Sequence, residues 1–269
     1  TEGALSPKDF ESDDQKKRNG WWDWKPAKLA LELLFWQGRL MIAKRVNFQK
    51  YYDLTERVLP PEIETKLPTQ KELSSFWIRQ GLKVLGIATL NDLSKYYYHM
   101  DKKLLQNGLR TLIKENEIRE INVESLSEIY YVFTKTLNKT DIKYQENTRA
   151  YILSPFDNFL INRSRIKKLF GFDYAIECYL PEAKRKFGYF SLPLLWKGDF
   201  AGLIEMKADR AENKLIIKNL VLEKNLRDDT VFYTKLSEEV HRFKVFNNCE
   251  TISFGNRNLQ LFKKLNPYL

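Results

Sequence analysis

A chain of 269 residues, 43% of them apolar, has material for one to three packed cores. Its composition excludes collagen-like, disulfide-scaffold and wholly disordered classes. With 45 Lys and Arg against 35 Asp and Glu, the formal charge is +10, a balance that favours a polyanionic partner such as nucleic acid or an acidic membrane. The longest apolar runs, such as Leu29 to Trp36, are too short to span a bilayer, and no charged start followed by an apolar core reads as a signal peptide. A cytoplasmic protein with no membrane partner is therefore expected. Cys178, Cys249, His99 and His241 are scattered without metal-ligand spacing, so no metal, disulfide framework or Cys-His nucleophile is expected, and no cofactor. Thr1 rather than Met at the start reads as a processed, engineered or fragmentary chain.

Residues 1 to 14 carry five acids against Lys8, whereas residues 15 to 50 carry nine bases against Asp23 and Glu32, so basic character begins early. Ser6-Pro7-x-Asp9 reads as a helix start, with a capping hydroxyl, Pro at the first helical position and an acid in the first turn. Pro26 opens a second helix with Ala27, Ala30, Leu31, Leu33 and Leu34 as its apolar face and Gly38 as its left-handed stop. Arg39 to Lys44 then alternates loosely as a strand, Arg45 to Asn47 turns, and Phe48 to Asp53 returns.

The same order recurs further along. Thr89-x-x-Asp92 resembles a capping box before a short helix, Asp101 to Glu115 reads as the next helix, and Asn116 stands where Gly38 stood. Strands are expected at Glu117 to Val123 and Glu128 to Phe133, around a Glu124-Ser125-Leu126 turn. A linker from Pro60-Pro61 to Pro68 and a helix near Gln70 to Leu85 separate the two sets. Helix, stop, strand, turn, strand is the order of a winged helix, so two tandem units are expected, at 1–60 and 61–138.

Past Asn138 the pattern becomes β-rich, with runs at Tyr174 to Leu180, Phe187 to Trp196, Phe200 to Ala208 and Lys214 to Leu222. Lys197-Gly198-Asp199 and Ala211-Glu212-Asn213 look like hairpin connections. A helix from about Asp229 to Phe246 and a strand at Thr251 to Phe254 complete a third domain, 139–269. The expected class is α+β: tandem winged-helix units followed by an antiparallel sheet or partial barrel with a long helix.

Lys103, Asn107, Arg110 and Lys114 share one face of the Asp101 helix, opposite Leu105, Leu109 and Leu112. Lys and Arg neutralise phosphates, while Asn and Arg read base edges; the competing reading is an ordinary solvated face. The first wing offers Lys44, Arg45, Asn47, Gln49 and Lys50. The second holds Glu120, Glu124 and Glu128, which would repel a phosphate backbone, and is taken as structural. Trp21, Trp22, Trp24, Phe35 and Trp36 could stack on bases, though core packing explains them as well. Tyr96, Tyr97 and Tyr98 read the same way. Two basic clusters, Arg163 to Lys168 and Lys184 to Lys186, stand in the third domain.

Three strings carry a family resemblance in the N-terminal half: Gly20-Trp21-Trp22-Asp23-Trp24-Lys25-Pro26-Ala27-Lys28, Leu34-Phe35-Trp36-x-Gly38, and Phe48-Gln49-x-x-Tyr52-Asp53-Leu54-Thr55-Glu56-Arg57-Val58. The C-terminal half adds Leu153-Ser154-Pro155-Phe156-Asp157-Asn158, Leu169-Phe170-Gly171-Phe172-Asp173-Tyr174, Lys184-Arg185-x-x-Gly188-Tyr189, Leu192-Pro193-Leu194-Leu195 and Lys207-Ala208-Asp209-Arg210. Together they resemble the AlkZ/YcaQ-like bacterial DNA glycosylases. The resemblance implies tandem winged helices with a barrel-like C-terminal domain, double-stranded DNA as partner, and removal of alkylated bases, with unhooking of interstrand crosslinks.

The family's catalytic signature, Gln-aliphatic-Asp or Gln-aliphatic-Gln, would lie in a region preceding Thr1, and neither Gln-x-Asp nor Gln-x-Gln occurs in this chain. No catalytic residue is therefore carried over. A cationic N7-alkylpurine leaves as a neutral base, so the chemistry needs a carboxylate to stabilise the sugar cation and a polar group to place water. Asp157 and Asp209, with Arg163 and Arg210 nearby, are the possible site-lining residues; capping or ion pairing is their plainer role. The alternatives to a glycosylase body are a non-enzymatic winged-helix regulator or DNA-associated module, and an adaptor for acidic protein.

Overall fold

Two segments of this chain open alike, on a hydroxyl residue that donates to an Asp three positions on, and the computed structural model describes residues 3–10, 26–98, 100–138, 148–226, 229–257 and 259–268. In the first the Ser6 N–H and hydroxyl donate to the Asp9 carboxylate at 2.6 and 2.9 Å, opening a 3₁₀ turn at Pro7–Phe10. Trp21, Trp22, Trp24 and His99 lie outside the described residues. Helix α1 (Pro26–Trp36) starts at its proline and is followed by Gly38 at φ 72°. Leu31 is the one side chain of the expected apolar face that is fully buried.

Strands β1 (Leu40–Val46) and β2 (Gln49–Leu54) form an antiparallel hairpin, continued by the single turn α2 (Thr55–Val58). The turn falls on Asn47 and Phe48, at φ 46° and 65°, rather than on Arg45 to Asn47. A two-residue connection with both φ angles positive matches the twist of the flanking strands, which keeps Arg45 and Val46 inside β1. Leu5 bridges to Tyr52 of β2 through N–H···O bonds of 2.8 and 2.7 Å.

The second contact, a full capping box, lies between helices α3 (Gln70–Leu85), itself opened by a Thr69–Glu72 box, and α4 (Leu90–Tyr96): the Thr89 N–H and hydroxyl donate to Asp92 at 3.0 and 2.9 Å. Helix α5 (Lys102–Lys114) is capped by Asp101, and Asn116 follows it at φ 55°. The hairpin of β3 (Ile118–Asn122) and β4 (Ile129–Phe133) comes next, then the single turn α6 (Thr134–Leu137). Ala88, just before the box, bridges to Tyr131 of β4, as Leu5 bridges to Tyr52. Both segments therefore run in one order: bridge residue, hydroxyl–Asp contact, helix, left-handed residue, hairpin.

The core of this second segment is Ile78 and Leu82 of α3 against Leu105, Leu109 and Leu112 of α5. Gly108 lets the two helices touch: a Cβ there would lie 2.7 Å from Ile78 Cδ1 and 2.8 Å from Ser74 Oγ.

The C-terminal sheet runs in the order β5 (Tyr151–Ile152), β6 (Ser191–Trp196), β7 (Asp199–Asp209), β8 (Lys214–Leu222) and β9 (Thr251–Phe254). Helix α7 (Arg163–Phe170) precedes β6, α8 (Thr230–Phe246) joins β8 to β9, and α9 (Leu259–Leu265) closes the described chain. The first four strands pair antiparallel, but β9 lies parallel to β8. That departure from an all-antiparallel sheet follows from the α8 crossover, which returns the chain to the starting end of β8. Phe232, Tyr233, Leu236 and Val240 of α8 join Leu194, Trp196, Ile204 and Leu220 of the sheet in one core.

Residues 174 to 180 form no strand, contrary to their β-rich pattern. Tyr174 is instead buried with its hydroxyl donating to Ser191 O at 2.9 Å, and its aromatic character reflects packing rather than pairing. The strand expected from Phe187 begins at Ser191.

The chain forms two compact units, Thr1–Leu67 and Pro68–Leu269. Within the second, α7 is tied to the helical segment. The guanidinium of Arg165, only 4% exposed, donates to Leu85 O at 2.9 Å and Ile87 O at 3.2 Å, and Asn162 donates to Asp92 at 3.0 Å. Lys168 pairs with Glu128 of the second hairpin.

Candidate nucleic-acid interface

An amphipathic helix with a cap at one end fixes which way each side chain points. On α5 the buried Leu105, Gly108, Leu109 and Leu112 anchor one face, which turns Lys103, Asn107, Arg110 and Lys114 outward together. All four are exposed, and none of their side chains makes a hydrogen bond or ion pair among the described residues. A fixed row of uncommitted donors, three of them cationic, is the arrangement that accepts phosphates and base-edge acceptors.

The first hairpin divides its basic residues. Lys44 and Arg45 are exposed, with the Lys44 ammonium 5.2 Å from the centre of the Tyr51 ring. Lys50, by contrast, donates to both Glu32 oxygens at 2.7 and 2.9 Å and lies over the Phe35 ring. Its charge is largely met inside the fold. Burial raises the Glu32 carboxyl, but its bonds from Lys50 and Tyr52 outweigh that and leave it below its ordinary value.

At the hairpin tip stands Phe48, 95% exposed and at positive φ. A bulky residue in the left-handed region is an outlier that function commonly explains. The sequence pattern places Phe48 in the returning strand rather than at the turn. An aromatic inside the basic run Lys44 to Lys50 was the available signal.

The four possible site-lining residues of the C-terminal part have structural tasks. Asp157 accepts the Phe159 N–H at 2.8 Å, closing the turn before α7. Arg163 donates to the Leu160 and Pro155 carbonyls, lies 4.7 Å over the Tyr174 ring and borders a cleft of about 870 Å³ with Asp92, Lys95 and Tyr98. Asp209 accepts the Ala211 N–H at 3.1 Å and so shapes the β7–β8 hairpin, where Arg210 is exposed. Neither acid is ion-paired to its neighbouring arginine among the described residues.

Among the described residues, no three His, Cys, Asp or Glu side chains are grouped to hold a metal ion, and no helix is long and apolar enough to cross a membrane.

The family model for DNA glycosylase AlkZ-like proteins matches residues 1–246. No solved structure matches the chain.

Proposed function

The chain belongs to the AlkZ-like DNA glycosylase family, and we propose that it is the DNA-binding body of a repair enzyme hydrolysing the N-glycosidic bond of alkylated bases. N7-alkylpurines, crosslinked ones included, are the substrates of this reading, double-stranded DNA is the partner, and the cytoplasm is the place. The observation that carries it is the uncommitted row Lys103, Asn107, Arg110 and Lys114 on α5. The shared order of bridge, hydroxyl–Asp contact, helix, stop and hairpin supports reading 1–60 and 61–138 as winged-helix units ahead of a C-terminal domain, 139–269. In that reading α5 is the helix laid against DNA and the first hairpin reaches the adjacent backbone.

No catalytic role is assigned between Thr1 and Leu269. Neither Gln-x-Asp nor Gln-x-Gln occurs there, and Asp157 and Asp209 both serve turns. Without a positioned carboxylate and its water, electrostatic stabilisation of about 2.7–4 kcal/mol per group is missing, a hundred- to thousand-fold in rate.

The test is release of free N7-alkylguanine from alkylated duplex. The chain alone is expected to bind the duplex without multiple turnover, while a longer polypeptide carrying an upstream Gln-x-Asp segment turns over. Robust release by the chain alone would overturn this reading and make Asp157 and Asp209 the first residues to substitute. If the longer polypeptide binds but releases nothing, the non-enzymatic DNA-associated module is the better account.

A further inference from the structure

The loop of residues 185–189 is held by two buried glutamates, Glu177 and Glu205. Glu177 accepts the Lys186, Phe187 and Gly188 N–H groups at 3.1, 2.8 and 3.2 Å. Glu205, on β7 and only 7% exposed, accepts the Tyr189 N–H with Oε1 at 2.9 Å. Asn219 donates to Phe187 O at 2.6 Å from β8. The segment is thereby fixed as a platform, and this is why β6 starts only at Ser191.

Beside the platform is a polar cavity of about 300 Å³, lined by Glu182, Arg185, Tyr189, Glu205, Lys218 and Arg257. Glu205 Oε2 has no donor among the described residues. Gly188 makes room for it: at φ 141°, a Cβ on that residue would lie 2.1 Å from Oε2. Arg185 donates through Nε to Leu180 O at 2.9 Å, which sets its guanidinium 4.8 Å from the centre of the Tyr189 ring. The ring remains 53% exposed.

A buried acceptor, an exposed aromatic face and three cations around a cavity of this size suit a single nucleotide. The carboxylate selects the base. It accepts only, so it is complementary to a base edge bearing adjacent donors. Guanine has two, N1–H and N2–H; adenine and cytosine set one donor beside an acceptor, and thymine sets one donor between two acceptors. Alkylation at N7 lies on the other edge and leaves the pair intact. In a duplex those donors are bonded to cytosine, so the base must be unpaired.

We propose that the Arg185–Tyr189–Glu205 cavity binds an unpaired guanine nucleotide, with Glu205 on the Watson–Crick edge, Tyr189 stacked on the base, and Lys218 and Arg257 on the phosphate. This deepens, and rests on, the reading of the protein as acting on DNA.

Calorimetric titration with 5′-GMP, 5′-IMP, which lacks the N2 amine, 5′-AMP and inorganic phosphate tests it without any variant. GMP is expected to bind about tenfold tighter than AMP, with IMP between them. Glu205→Gln keeps an acceptor for Tyr189 but turns an amide donor toward guanine, and should erase the preference. Arg257→Ala, on an exposed residue, should weaken all three nucleotides and phosphate alike. Equal binding of the nucleotides, a preference retained in Glu205→Gln, phosphate binding as well as GMP, or no binding would each overturn the proposal. Duplex affinity measured in parallel separates the two readings. Duplex binding without a GMP preference sinks the pocket alone, whereas a GMP preference without duplex binding keeps the pocket and sinks the DNA-binding body.

Discussion

The Lys50 ammonium donates to both carboxylate oxygens of Glu32, at 2.7 and 2.9 Å, while the Tyr52 hydroxyl donates to Oε1 at 2.8 Å. A cation held this way serves the fold before it serves a ligand. Lys50→Ala should lower the melting temperature of the first unit, at a cost of about 1–2 kcal/mol after allowing for its partial exposure, and leave the salt dependence of DNA binding unchanged. Lys44→Ala should do the reverse, removing about one unit from the salt slope. Equal effects of both substitutions on DNA binding would show that the Glu32 pair opens to release Lys50.

Phe48 combines positive φ with nearly full exposure. The left-handed region costs a non-glycine residue about 1–2 kcal/mol, so Phe48→Gly should stabilise the hairpin. If the ring wedges against base pairs, the same substitution should weaken duplex binding. Thermal melting and fluorescence anisotropy on one preparation decide it: a stabilised protein with undiminished affinity would exclude a role for the ring in binding.

Gly108 sits where α3 and α5 touch, and a Cβ would meet Ile78 and Ser74 well inside contact distance. Gly108→Ala should destabilise by about 1–3 kcal/mol through overpacking, despite the better helix propensity of alanine. A neutral or stabilising outcome in urea denaturation would mean that the helices separate more easily than their packing suggests.

Burial raises the Glu177 carboxyl, but the three backbone N–H donors outweigh it and hold the group below its ordinary value of 4.5. A depressed carboxyl contributes stability above its unfolded pKa and loses it as pH falls through the lower folded value. The platform should therefore be intact at neutral pH and loosen only below about pH 4.5. Hydrogen exchange at the Phe187 and Gly188 amides reads this directly. Protection should fall on acidification in the native protein and already be absent at pH 7 in Glu177→Ala. Protection independent of both would show that other contacts fix the loop.

Local signals carried much of the fold. Pro26, Gly38, the Thr89-x-x-Asp92 box, the leucine face of α5, the β8 strand and the β9 strand were all visible because each is written in neighbouring residues. Residues 174 to 180 misled because their apolar and aromatic content reads as a strand, whereas they lie in irregular chain in which only Tyr174 and Glu177 are buried and Tyr179 is 83% exposed. The parallel pairing of β9 depends on which way a crossover returns, which no single strand encodes. The α5 row was legible from helical spacing. The intramolecular pairing of Lys50, 18 positions from Glu32 in sequence, and the gathering of Glu177 and Glu205 on one loop were not, since each depends on tertiary folding.

The most direct test of the DNA-binding account is the slope of log affinity against log salt for duplex DNA, compared between the native chain and Lys103→Ala/Arg110→Ala/Lys114→Ala. Each phosphate contact contributes about 0.9 to that slope. The account predicts a steep slope in the native chain, reduced by between about 2 and 3 in the folded triple variant, with weaker binding to all sequences alike. A slope and affinity unchanged by the three substitutions would contradict it.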